Sequence, residues 1–174
     1  FLVRLLAGAV RERAAGVNVL IHGPPGTGKT ELARTLAAAA DVPLYSVGEA
    51  DEDGDEPSRW DRVNALSLAH RMLAERGGAA LLFDEMEDLI GDVQPGKGDW
   101  MRGRQGSKLW VNRLVETNPV PVLWTTNAIG NLDPAIVRRM SYVLHLGAPS
   151  HAAGLGMLDR IGRGPERFLP GDEA

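Results

Sequence analysis

The chain has 174 residues, 44% of them apolar and 24% charged, which is enough for one soluble domain with a full hydrophobic core. Its net charge of -4 offers no global attraction to nucleic acid or to an anionic membrane, so the charge balance argues against both partners. The absence of cysteine removes disulfides, cysteine–zinc sites and thiol nucleophiles, and fits a cytoplasmic protein. No apolar run approaches the length of a membrane span.

The first residues, Phe1 to Ala15, read as an amphipathic helix with Leu2, Leu5, Leu6, Ala9 and Val10 on one face. The chain opens on Phe rather than Met and is expected to be a piece of a longer protein. Val17 to His22 is a short apolar strand. It runs into Gly23-Pro24-Pro25-Gly26-Thr27-Gly28-Lys29-Thr30, which fits G-x-x-x-x-G-K-[ST], the phosphate-cradling P-loop. Lys29 to Ala40, with Glu31 in its first turn, reads as the helix that must follow. Strand, loop and helix in that order are the context the motif needs. Glycines let backbone N–H groups turn towards an anion, and the helix directs its positive end to the same place. Lys29 then reaches the β/γ-phosphates, and the Thr30 hydroxyl is a ligand for Mg²⁺.

Leu44 to Val47 is a second strand, followed by an acidic loop over Gly48 to Ser58. Arg59 to Arg76 reads as a helix with Val63, Leu66, Leu73 and either Ala69 or His70 inward, stopped by Gly77-Gly78. Ala79 to Phe83 is a continuous apolar run, the mark of a buried parallel strand. Gly91 to Gly106 reads as a long loop containing Trp100, and Ser107 to Thr117 as a helix. Val120 to Thr125 is another buried strand, Pro134 to Met140 a short helix, and Tyr142 to Leu146 a last strand. Alternating strands and helices define a doubly wound α/β domain with a parallel sheet. His22, Trp110 and Trp124 read as packing residues. His70, His145 and His151 show no metal spacing.

Two further features sit where strands end, which is where ligands bind in open α/β sheets, and a third closes a short helix. Asp84 and Glu85 close the third strand. Asp84 is placed to hold Mg²⁺, and Glu85 to orient and deprotonate a water. Acidic residues at such a junction also suit a helix start, so the pair gains its weight from the P-loop before it. Asn127 follows the fourth strand, where it can bond the attacking water or the γ-phosphate; a simple turn residue is the plainer reading. Arg138 and Arg139 close the short helix that begins at Pro134, either as helix-end cations or as charges for a transferring phosphoryl group.

In this order the features resemble the large nucleotide-binding subdomain of an AAA+ ATPase, over about Leu5 to Leu146, and the wording Leu-Phe-Asp-Glu-Met-Glu-Asp is most similar to that of bacterial members. The resemblance implies a P-loop NTPase of AAA+ type that uses ATP and Mg²⁺. Gly23 to Thr30 with Glu31 would bind the nucleotide, Lys29 and Thr30 being the Walker A residues and Asp84 and Glu85 the Walker B residues. Asn127 would be sensor 1. Arg138 and Arg139 would be arginine fingers acting on the neighbouring subunit's nucleotide in a homo-oligomeric ring that remodels a protein client. The family's helical lid is expected to be missing, since only Gly147 to Ala174 remain, read as a partly ordered tail. The aromatic–apolar–glycine loop of polypeptide-threading members is replaced by acidic residues with Trp60 nearby, and Met140 stands where the family commonly has Phe. The alternatives are a nucleotide-gated binding module with little hydrolysis, which the missing lid favours and Glu85 opposes, and a DNA-acting loader, which lacks an evident basic stripe.

Overall fold

A computed structural model describes residues 1–48, 58–87 and 111–148, without the side chains of residues 59 and 60. The order is α1 (Leu2–Arg11), β1 (Asn18–His22), α2 (Lys29–Ala39), β2 (Leu44–Val47), α3 (Arg59–Arg76) and β3 (Ala80–Phe83). A helix through residues 111–117 (α4), β4 (Val122–Thr126), α5 (Pro134–Val137) and β5 (Tyr142–His145) follow. The acidic loop beyond Gly48, the loop with Trp100, Trp110 and the tail from residue 149 lie outside the described residues.

The five strands form one parallel sheet in the order β2-β3-β4-β1-β5. Successive strand residues face opposite sides, and each side is covered. Leu20, Leu81, Phe83, Val122 and Trp124 pack on one side with Leu66 of α3, Val111 and Val115 of α4, and Ile136 of α5. Val19, Ile21, Ala80, Leu82 and Leu123 pack on the other with Leu6 of α1 and Ala33 and Ala37 of α2. This is the doubly wound arrangement that the strand–helix alternation predicts.

Boundaries move by a few residues. The first helix stops at Arg11 rather than Ala15, because Glu12 caps it and the chain then turns through Arg13 and Gly16, both at positive φ, to bond Gly16 N–H to the Asn118 carbonyl. The helix from Pro134 stops at Val137, and residues 139 and 140 continue only as turns, with N–H groups bonded three residues back. On α3, Leu66 and His70 are buried, and Val63, Ala69 and Leu73 are partly buried against the same core. Its start is fixed by a capping box in which Ser58 and Asp61 bond each other's backbone N–H.

A buried polar lock holds the end of the sheet opposite the P-loop. The Trp124 indole N–H donates to Asn18 Oδ1 at 2.9 Å. The Asn18 amide donates to the Val115 carbonyl at 2.6 Å and to Asn118 Oδ1 at 3.2 Å. Asn118 in turn donates to the carbonyls of Val17 and Val120. Two strands and α4 are thereby tied in one register, and no member is left unpaired.

Candidate nucleotide site

Strand register assembles the site. Ile21 and His22 of β1 lie beside Thr125 and Thr126 of β4, and Phe83 of β3 lies beside Trp124. The residues that leave β1, β3 and β4 therefore emerge at one edge of the sheet. Gly23 begins the P-loop there at φ 156, and a Cβ on it would lie 2.0 Å from the Leu146 carbonyl oxygen, so only glycine fits. Gly28 caps α2 at φ 86 with open space around its absent side chain. The loop closes on itself through the Thr27 hydroxyl, which donates to the Pro24 carbonyl at 2.9 Å.

Lys29 is buried, and its ammonium donates to the carbonyls of Gly23 at 3.0 Å and Pro24 at 2.9 Å. Among the described residues, two carbonyl dipoles compensate this cation. Pro24, Pro25 and Gly26 are exposed above it. The Glu31 side chain instead forms an ion pair with Arg34 at 2.6 Å on the exposed side of α2.

The Thr30 hydroxyl donates to Asp84 Oδ2 at 2.9 Å, joining the two elements that the sequence predicts to share a metal. Two hard oxygen donors at the mouth of a phosphate loop fit Mg²⁺. Asp84 Oδ1 also accepts from the Thr125 hydroxyl. The backbone then zips onto the end of β4: Glu85 N–H donates to Thr125 Oγ1 at 3.1 Å, and Met86 N–H to the Thr125 carbonyl at 2.8 Å. Glu85 sits at φ 57 with an exposed side chain. A left-handed conformation costs a non-glycine residue roughly 1–2 kcal/mol.

Asn127 stands at the same edge, and its backbone N–H donates to Glu87 Oε1 at 2.9 Å. Arg138 and Arg139 are both exposed; Arg139 pairs with Glu116 of α4 and donates to the Ala135 carbonyl at 2.6 Å. His22 and His145 face each other with ring centres 4.9 Å apart. Burial, and then the neighbouring His145, lower the His22 pKa. The sequence alone assigns Thr125, Glu87 and Arg62 no role at the site. Arg62 donates to the Asp84 carbonyl from α3. A threonine in an apolar strand and an arginine in a polar helix carry no motif, and only register reveals them.

A parallel sheet covered on both sides, with a P-loop after β1 and a Thr–Asp pair at the same edge, defines a P-loop α/β nucleotide-binding domain. The profile of the AAA family, described as "ATPase family associated with various cellular activities", matches residues 19–148, and the chain belongs to that family. It is 31% identical to the probable inactive ATP-dependent zinc metalloprotease FTSHI 4, chloroplastic, of Arabidopsis thaliana over 81% of this chain and 17% of that protein. It is 26% identical to vacuolar protein sorting-associated protein 4 of Dictyostelium discoideum over 89% of this chain and 35% of that protein. The chain thus spans about a third or less of these relatives. Among solved structures, the AAA domain of FIGL-1 in complex with ADP shares the fold, with a TM-score of 0.62 at 20% identity over 93% of this chain and 56% of that one.

Proposed function

We propose that this chain binds ATP with Mg²⁺ and hydrolyses it, as the motor core of a homo-oligomeric ring that remodels a protein or complex. The observation that carries the reading is the 2.9 Å contact between Thr30 and Asp84, with Glu85 beside it in a strained conformation. Strain of this kind concentrates at functional sites. Gly23 to Thr30 hold the phosphates through backbone N–H groups and the end of α2, and Lys29 stabilises the charge on the β/γ-phosphates. Thr30 and Asp84 would hold the metal, which when bound spreads positive charge over the phosphate oxygens. Glu85 takes the proton of the attacking water, and Asn127 orients that water. The ring, the trans role of the arginines and the client rest on the family. A cytoplasmic setting rests on composition; among the described residues no helix is long and apolar enough to cross a membrane.

The competing reading is a nucleotide-gated module with little hydrolysis. One relative is named as probably inactive, which keeps that reading in view. The decisive variant is Glu85→Gln, which keeps the shape of the side chain and removes the base. It is expected to bind ATP as the wild type does and to lose turnover. A binding isotherm beside a single-turnover assay separates the two, and wild-type hydrolysis in Glu85→Gln would remove Glu85 as the base.

A further inference from the structure

We propose that Glu87 is a positioning residue that sets the direction of the Asn127 side chain. The inference rests on the reading above, in which Asn127 touches the attacking water. Asn127 is the first residue beyond β4, whose sheet partners end with Thr126 on one side and Trp124 on the other. Its N–H has left the ladder and would otherwise lack a protein acceptor. Glu87 supplies one through Oε1 at 2.9 Å. The bond is charge-assisted, hence stronger and more directional than an amide acceptor would give.

Three observations make this more than a chance contact. Asp84, Glu85, Met86 and Glu87 each bond to Thr125 or Asn127, so Glu87 is the last rung of a continuous seam. It is the rung that reaches Asn127, and it does so from the segment that carries Asp84 and Glu85. Among the described residues the second oxygen, Oε2, is buried without a hydrogen-bond partner. A half-paired buried carboxylate is costly, so stability alone would favour an apolar residue here. Glu85, which follows β3, and the water-orienting Asn127, which follows β4, are thus tied at a fixed offset by the seam, and Glu87 is the side chain that reaches Asn127. A misplacement of that offset by an ångström slows chemistry without preventing nucleotide from binding.

The test uses the whole chain with Glu87→Ala, Glu87→Gln and Asn127→Ala, alone and combined. Glu87→Gln keeps an acceptor and should retain most single-turnover hydrolysis of ATP. Glu87→Ala should slow it about 10- to 100-fold while leaving the affinity for ATP unchanged. The double variant Glu87→Ala/Asn127→Ala should be no slower than Asn127→Ala, because the two residues act as one unit. Independently of activity, amide hydrogen exchange at Asn127 should accelerate in Glu87→Ala and lie between that rate and the wild-type rate in Glu87→Gln. Should Glu87→Ala fail to fold, Glu87→Asp, one methylene too short to reach, is expected to give the same exchange and turnover losses. Additive losses in the double variant, or unchanged exchange at Asn127 in a folded Glu87→Ala or Glu87→Asp, would overturn the proposal. If Asn127→Ala hydrolyses ATP at the wild-type rate, the role given to Asn127 falls instead, and the exchange measurement still decides whether Glu87 holds it.

Discussion

The guanidinium of Arg62 lies 4.7 Å from the centre of the Phe83 ring and donates to the carbonyl of Asp84, one residue further on. A charged side chain from the first turn of α3 is therefore buried against the strand that leads into Asp84. Its other side meets Gly48 at the exit of β2, where a Cβ would lie 3.0 Å from Arg62 Nε. Arg62 joins the loop after β2 to the site. Asp84 is consequently aimed by Thr125 through its side chain and by Arg62 through its backbone.

Arg62→Ala is expected to lose the stacked cation and the charged hydrogen bond together, a destabilisation of about 2–4 kcal/mol. Arg62→Lys keeps the charge but neither the planar stack nor the fork, and should recover less than half of that. Urea unfolding of the three proteins checks the order. Titration of ATP in the presence of Mg²⁺ should show weakened binding in both variants, more so in Arg62→Ala. Wild-type stability in Arg62→Ala would mean that the contact contributes nothing.

The layers of this fold were legible because apolar runs such as those ending at Phe83 and Trp124 admit no other placement than a sheet covered on both sides. The P-loop and Asp84 were legible because each carries a chemistry that its spacing exposes. The connections between them were not. Thr125 looks like any strand residue until the register sets it beside Asp84, and Glu87 like any helix-start acid until Asn127 comes within reach. Helix ends slipped for a different reason. Arg11 to Ala15 has ordinary helix formers, but the tertiary bond from Gly16 to Asn118 pulls the chain away before they can extend the helix.

His70 supplies a pH dependence. It is buried on α3, its Nε2 has no hydrogen-bond partner among the described residues, and burial lowers its pKa from 6.5 to about 4. At pH 7 the ring is neutral in the folded chain and mostly neutral in the unfolded one, so little is lost. As the pH falls below 6.5 the unfolded chain takes up a proton that the folded one refuses until about pH 4. The unfolded state then binds more protons, so stability declines over that window, by about 3 kcal/mol at most. His70→Leu should abolish this part of the decline and, by removing an unpaired buried nitrogen, add about 1 kcal/mol at pH 7. Denaturant midpoints from pH 7 to pH 4.5 measure both effects. A variant whose stability falls with pH as steeply as the wild type's would show that other groups carry the dependence.

The two arginines after α5 should divide their work unequally. Arg139 is occupied: Glu116 holds its guanidinium, and the Ala135 carbonyl takes a second hydrogen bond. Arg138, exposed at the C-cap of α5, donates its backbone N–H to the Pro134 carbonyl, but its side chain makes no hydrogen bond or ion pair with the described residues. A cation that serves another subunit's nucleotide must be able to leave its own subunit's surface, and Arg138 is the one placed to do so. An arginine delivered in trans is worth about 10³–10⁵ in rate. Arg138→Ala should therefore leave ATP affinity and folding stability unchanged, yet remove most of the rise in turnover per subunit that comes with concentration. Arg139→Ala should lose a surface ion pair worth roughly 0.2–1 kcal/mol and reduce turnover far less. Mixing separates the trans role from a local one. Arg138→Ala subunits with an intact Glu85 should regain hydrolysis when Glu85→Gln subunits with an intact Arg138 are added, because each then supplies what the other lacks. If mixing restores nothing while either wild-type arginine remains dispensable, the two residues are helix-end cations, and turnover must depend on groups within a single subunit.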